Sequence, residues 1–152
     1  MRLTSVMTLI MAAAFVGGGC APKATFDVTI MNKTDRPVTV GLVKDGPPYE
    51  REWAGPEKLA IESPLESLPP WGHVIPPGRM MDSSPVTGAF PQGALAYLRV
   101  YAGERSNAEL LAVGPDSPDR AELLLYPGHS EIIVRRDETG RYRAERAGAG
   151  RK

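Results

Sequence analysis

The distribution of proline most constrains the fold of this chain. All 15 prolines follow residue 20, and ten of them fall between residues 44 and 92. Proline has no backbone N–H and a fixed φ, so it interrupts helix interiors and sheet ladders. We therefore expect a Pro-rich loop excursion over 44–92 that contains only short elements. These are a helix over 55–62, with Pro56 in its first turn and Pro64 after its end, and a brief strand at 74–75.

Alternating stretches flank this excursion. Large apolar residues recur at every second position in 26–30 and in 36–43, with the turn-type cluster 32–35 between them. This pattern predicts a β-hairpin. Further strand-like stretches, separated by turns rich in Gly, Pro and Asp, cover 95–102, 109–113, 121–126, 130–136 and 141–145.

About seven or eight short strands at this spacing predict an all-β fold. We expect an antiparallel β-sandwich, Ig-like in outline, with at most one short helix; a small barrel is the alternative. Because a structureless stretch as long as 44–92 is uncommon in a compact domain, its large side chains are expected to pack across the sheets. They are Tyr49, Trp53, Leu65, Leu68, Trp71 and Ile75.

The charge balance bears on possible partners. The chain has 18 basic and 18 acidic residues, so its formal net charge is zero. There is no excess of basic residues to indicate nucleic-acid binding. Hydrophobic residues make up 42% of the chain, which is typical of a folded domain. The predicted sandwich domain spans 25–146, and the basic segment 147–152 is expected to be a disordered tail.

The N-terminus has the pattern of an export signal. Arg2 precedes an apolar run over 3–16, and three glycines at 17–19 lead to Cys20, the only cysteine. The apolar run has about 14 residues, fewer than the roughly 20 that a membrane-spanning helix needs. It matches the h-region of a signal peptide.

Residues 17–20 resemble the lipobox of bacterial lipoproteins, although Gly17 stands where that family usually has Leu. The resemblance implies that residues 1–19 are a signal peptide that is removed. It also implies that Cys20 receives a diacylglycerol group and further acylation such as palmitate, and that 20–24 form the lipidated tether. Ala21 favours the outer membrane over the inner one, with the domain facing the periplasm. An ordinary signal peptide followed by an unmodified cysteine is the alternative.

No catalytic motif is present. The sequence contains no Gly-x-Ser-x-Gly, no phosphate-binding glycine loop and no Cys-x₂-Cys. We therefore predict no catalytic residue, no metal site and no cofactor, and a non-enzymatic binding or assembly role in the cell envelope with an envelope protein as partner.

The alternative function is a ligand-binding module for a carbohydrate or a transition metal. His73, His129 and Met80 carry side chains that suit a transition metal, although solvent-exposed histidines are the simpler interpretation. Aromatic residues that suit a sugar, but that more commonly fill a core, are Tyr49, Trp53, Trp71, Tyr97 and Tyr101.

Overall fold

The structure is a computed structural model that describes residues 21–148, and it confirms the predicted all-β sandwich. The strands are β1 (Lys23–Asn32), β2 (Val38–Asp45), β3 (His73–Ile75), β4 (Met80–Asp82), β5 (Val86–Ala89), β6 (Leu95–Ala102), β7 (Arg120–Leu125), β8 (Gly128–Arg136) and β9 (Tyr142–Arg146). The helices are α1 (Pro56–Glu62) and α2 (Asn107–Ala112), and 3₁₀ turns cover Arg51–Trp53 and Leu65–Ser67. The predicted signal peptide 1–19, the predicted lipidation site Cys20 and residues 149–152 of the predicted tail lie outside the described residues.

Two sheets face each other. In the first sheet, β4 and β5 both pair with one edge of β1, and β8 and β9 follow on the other side. The second sheet has the order β3-β2-β6-β7. Among the described pairs, β1 and β8 are parallel and the others are antiparallel.

The core lies between the sheets and is filled by every second residue of the long strands. Phe26, Val28 and Ile30 of β1 are at most 3% exposed, and Leu98 and Val100 of β6 are fully buried. Burying a side chain of this size contributes about 1.5–3 kcal/mol relative to its exposed state. The alternating pattern in the sequence therefore identifies the inward face of each strand.

The predicted hairpin between the first two strands is wrong. Both strands are present, but β1 belongs to the first sheet and β2 to the second, so the chain crosses the sandwich between them. Asn32, which is fully buried, holds this corner. Its Nδ2 donates to the carbonyls of Arg36 and Ile75 at 2.8 and 2.9 Å, and its Oδ1 accepts from the N–H and hydroxyl of Thr34 at 2.9 and 2.8 Å.

The predicted strand over 109–113 is also wrong, because this segment forms α2. Ser106 caps the helix: its hydroxyl accepts from the N–H of Glu109, and the Glu109 carboxylate accepts from the N–H of Ser106. This reciprocal capping box satisfies backbone donors that would otherwise lack partners at the helix start. The Ser-x-x-Glu spacing at 106–109 is the sequence signal that indicates the start of α2.

The excursion over 44–92 matches its prediction in part. Helix α1 begins at Pro56 as expected, and β3 includes the predicted strand at 74–75, whereas β4 and β5 were not predicted. Trp53 packs edge-on against Phe26 and Phe90, with ring centroids 5.3 and 5.1 Å away. Trp53, Trp71 and Ile75 are buried as expected; Leu65 and Leu68 are half-buried, and Tyr49 is exposed.

The first sheet begins three positions after Cys20 in the sequence. Strand β1 begins at Lys23, and the N–H of Phe90 donates to the carbonyl of Pro22 at 2.7 Å. At the other end of the described residues, β9 ends at Arg146, and the N–H of Ala147 donates to the backbone carbonyl of Glu131 at 2.8 Å. Within residues 21–148, no helix has the length and apolar character needed to cross a membrane.

Replacing Asn32 with alanine (Asn32→Ala) removes a donor to the Arg36 and Ile75 carbonyls and the acceptor of the Thr34 N–H, while the Thr34 hydroxyl still donates to the Arg36 carbonyl. We expect the free energy of unfolding to fall by about 2–4 kcal/mol, because each buried polar group left unpaired costs about 1–3 kcal/mol. Urea denaturation followed by tryptophan fluorescence measures the change. The exposed neighbour provides the control, since Lys33→Ala is expected to change stability by less than about 0.5 kcal/mol. Equal losses in the two variants would contradict this role of Asn32.

Candidate functional site

The two long edges of the sandwich differ. On one edge β7 and β9 lie together, joined by hydrogen bonds from the N–H of Tyr142 to the carbonyl of Pro118 (2.9 Å) and from the guanidinium of Arg146 to the carbonyl of Leu124 (2.6 Å). On the other edge, between β3 and the β4–β5 side, a cavity of about 460 Å³ opens between the sheets. We call this cavity the edge cleft.

The edge cleft has an apolar floor and a polar rim. Its floor is formed by inward residues of both sheets, namely Val28, Ile30, Val40, Leu42, Met81, Val86 and Leu98. Its rim carries side chains with charge or hydrogen-bonding groups, namely Arg51, Glu52, His73, Asp82, Ser83 and Ser84. Sites for small ligands typically have about 300–1,000 Å³ and this combination of apolar lining with a few polar groups. The edge cleft therefore has the size and lining of a binding site.

Trp71 forms a fixed wall of the edge cleft. Its indole Nε1 donates to the carbonyl of Ala54 at 2.9 Å, and its backbone N–H donates to Oδ1 of Asn107 at 2.9 Å. The ring packs edge-on against Tyr101, with centroids 5.7 Å apart. Gly41 provides the space, because a Cβ there would lie 2.6 Å from the indole. The wall is thus held by hydrogen bonds at two points and by close packing.

A buried ion pair positions the 3₁₀ turn that carries Arg51 and Glu52 to the rim. The ammonium of Lys44 bonds to the carboxylate of Glu50 and, at 3.1 Å, to the carbonyl of Ala89. The Lys44 side chain is only 2% exposed. The hydrogen bond from Lys44 is the main cause of a lowered pKa for Glu50; burial opposes it, and the bond from the N–H of Ala89 adds to it. Removing either charge would leave the other without its partner.

The structure places the three predicted metal-ligand candidates in different surroundings. His73 lies on the rim of the edge cleft. His129 lies on the first sheet, with its Nδ1 2.7 Å from Oδ2 of Asp27. Met80 is 57% exposed on β4, and its neighbour Met81 lines the cleft instead. Over residues 21–148, no group of three or more His, Cys, Asp or Glu side chains is arranged to hold a metal ion.

The aromatic residues considered for sugar stacking are mainly part of the core. Trp53 and Tyr101 are at most 1% exposed, and Trp71 is 8% exposed. Tyr97 is half-buried, and Tyr49 is exposed at one end of the sandwich. These residues do not form a shared exposed platform.

A charged network covers the outer face of the second sheet. Arg99 bonds to Glu57 at 2.7 Å and to Glu122 at 2.6 Å, and Arg120 bonds to the same two carboxylates at 3.3 and 2.7 Å. Burial acts to raise the pKa of Glu122, but the hydrogen bond from Arg120 and the charge of Arg99 outweigh it, and the pKa is lowered. The network attaches α1 to β6 and β7, and its charges compensate each other.

Comparison with known proteins finds no match: no family model fits the chain, and no curated protein or solved structure matches it. The edge cleft is therefore identified as a candidate site from its geometry alone. Its residues come from many separate segments, which is why sequence reasoning missed it. Of the residues considered as metal ligands in the alternative function, His73 is the one that lies on its rim.

The Lys44–Glu50 pair makes a testable prediction for pH dependence. Because the pKa of Glu50 is lowered on folding, its carboxylate stabilises the fold above the ordinary pKa of 4.5, and this contribution is lost as the pH falls through the lower folded-state pKa. We expect the wild type to be more stable than Glu50→Gln at neutral pH, with the difference narrowing below pH 4.5. Urea denaturation midpoints over a pH series measure this. Glu52→Gln, an exposed neighbour, is the control; a difference independent of pH would contradict the prediction.

Proposed function

We propose that this chain is a lipid-anchored protein of a bacterial cell envelope, with a non-catalytic binding or assembly role. In this proposal residues 1–19 are removed, Cys20 carries the lipid, and the sandwich faces the periplasm from a membrane, the outer one being favoured. The resemblance of residues 17–20 to the lipobox supports the anchor. Two or more acyl chains make such an anchor stable, since each buried CH₂ contributes about 0.8 kcal/mol.

The observation that carries the binding role is the edge cleft. It combines an apolar floor, a polar rim and a fixed wall at Trp71, and it opens on a side of the sandwich where a partner can approach. An envelope protein that inserts an apolar side chain or segment there would contact the half-buried Leu42, Met81 and Val86 of the floor and pair with the rim. The alternative of a transition-metal site gains no support from His73, His129 and Met80, which lie in different surroundings.

The anchor is tested by expressing the full-length chain in a bacterial host with labelled palmitate. Wild-type protein is expected to incorporate the label and to partition into the membrane fraction, because Cys20 supplies the thiol that is acylated. Cys20→Ser is expected to lose the label. If the substituted protein takes up as much palmitate and partitions equally into membranes, the anchor at Cys20 is wrong.

The binding role is tested by a photo-cross-linking amino acid, benzoylphenylalanine, placed at Ser84 on the exposed rim of the edge cleft. Irradiation of living cells is expected to give one dominant adduct, identified by mass spectrometry, because the cleft holds a partner in a fixed position. The same amino acid at the exposed Glu138, in the β8–β9 turn, is the control and is expected to give no such adduct. Equal adducts at both positions, or none at Ser84, would contradict the proposal.

A further inference from the structure

One end of the sandwich brings the start of β1 together with three connections. Strand β1 starts there, the link after β2 leaves there, β5 joins β6 there, and β7 joins β8 there. The contacts between these segments are direct: Phe90 donates to the Pro22 carbonyl, and a Cβ on Gly46 would lie 3.1 Å from the Cα of Ala94. We call residues 21–22, 46–49, 90–95 and 126–128 the near end.

The near end has no charged residue. Asp, Glu, Lys and Arg make up 24% of the chain, yet none of them occurs in these four segments. The opposite end differs sharply. Its turns at 33–37, 103–106, 114–119 and 137–141 together contain ten charged residues. Because solvent-exposed loops normally carry charge, a charge-free set of four adjoining segments marks a surface that is not simply solvated.

The near end also exposes large apolar side chains. Of the six exposed large hydrophobic residues in 21–148, three belong to it: Tyr49 (46%), Leu95 (42%) and Tyr126 (61%). The Arg146 guanidinium lies 4.8 Å from the centre of the Tyr126 ring. Tyrosines with an apolar ring and a polar hydroxyl are enriched where a bilayer meets water. A cation beside them suits anionic headgroups.

We propose that the near end lies on the bilayer surface, so that the sandwich is held there in one orientation. This inference rests on the proposed lipid anchor. Lys23 is already part of β1, and only two residues, Ala21 and Pro22, separate it from Cys20. The three steps from one Cα to the next between Cys20 and Lys23 span at most about 11 Å, so an acylated Cys20 keeps the near end close to the headgroups. The tether brings this surface to the membrane, and its tyrosines and Leu95 enter the interfacial layer.

The test uses full-length lipidated protein in vesicles of phosphatidylethanolamine and phosphatidylglycerol that contain headgroup spin-labelled lipid. A fluorophore is attached to a cysteine introduced at the near end (Gln92→Cys) or, as the reference, at the opposite end (Glu138→Cys); both positions are exposed. Acylation blocks the thiol of Cys20, so the label reacts at the introduced cysteine. Fluorescence quenching is expected to be several times stronger at residue 92 than at residue 138.

Paired variants separate surface contact from simple tethering. The double change Tyr49→Glu and Tyr126→Glu is expected to reduce quenching at residue 92 to the level at residue 138, because charged residues disfavour the interfacial layer. Met80→Glu is the matched control: Met80 is 57% exposed on β4 and pairs with Met31, at the end of β1 opposite the near end, so its change is expected to leave quenching unaltered. Circular dichroism verifies that each variant is folded.

Three results would overturn the inference. Acylated, vesicle-bound protein with equal quenching at residues 92 and 138 overturns the docked orientation and leaves the anchor intact. If the label at residue 92 is shielded from aqueous iodide in native membranes, but not in vesicles that contain no other protein, a protein covers the near end instead of lipid. If the purified full-length protein carries no acyl groups and does not enter vesicles, both the anchor and this inference are overturned.

Discussion

The buried amide of Asn32 joins the segments on which the rest of the structure depends. Its side chain bonds to the crossing between β1 and β2 and to the end of β3, while its backbone bonds to Arg79 and Gly78 in the turn between β3 and β4. One residue thus connects both chain crossings between the sheets at the open edge. Because these bonds are shielded from water, they hold the two sheets together at this corner. The edge cleft opens between the same two sheets.

The two ends of the sandwich have opposite chemistry, and this gives the molecule a direction. The end that includes Asn32 is surrounded by charged turns, whereas the near end is charge-free and includes the start of β1. With the near end on a bilayer, the strands stand away from the membrane and the mouth of the edge cleft faces sideways. A partner would then approach the cleft from within the periplasmic space, without competing with lipid for the same surface. The anchor and the docked end would lie together at one end of this small domain, and the binding site would lie apart from them on its open edge.

Local sequence patterns predicted which residues are strands better than which strands are neighbours. Alternation at Phe26, Val28 and Ile30 reports that one face is buried, and β1 has that face. It does not report the partner, because every strand of a sandwich points its apolar face at the same core. This is why β1 and β2 were expected as a hairpin and lie in different sheets. The short β4 and β5 form through pairing with β1, so their own residues carry little signal. By contrast, α2 does have a local signal, the capping pair Ser106 and Glu109, which the expectation of a strand over 109–113 did not take into account.

The prolines of the 44–92 excursion also explain why one edge of the sandwich is open. On the closed edge, β7 and β9 run for six and five residues and contact each other. On the open edge, β3 and β4 have three residues each and β5 has four. Prolines lie at the ends of these strands: Pro76 and Pro77 follow β3, and Pro85 separates β4 from β5. Each proline removes an N–H donor, so no long edge strand forms. Ser83 instead bonds to β1 through its hydroxyl and its N–H. A long strand here would cover the mouth of the cleft, whereas these short ones leave it open.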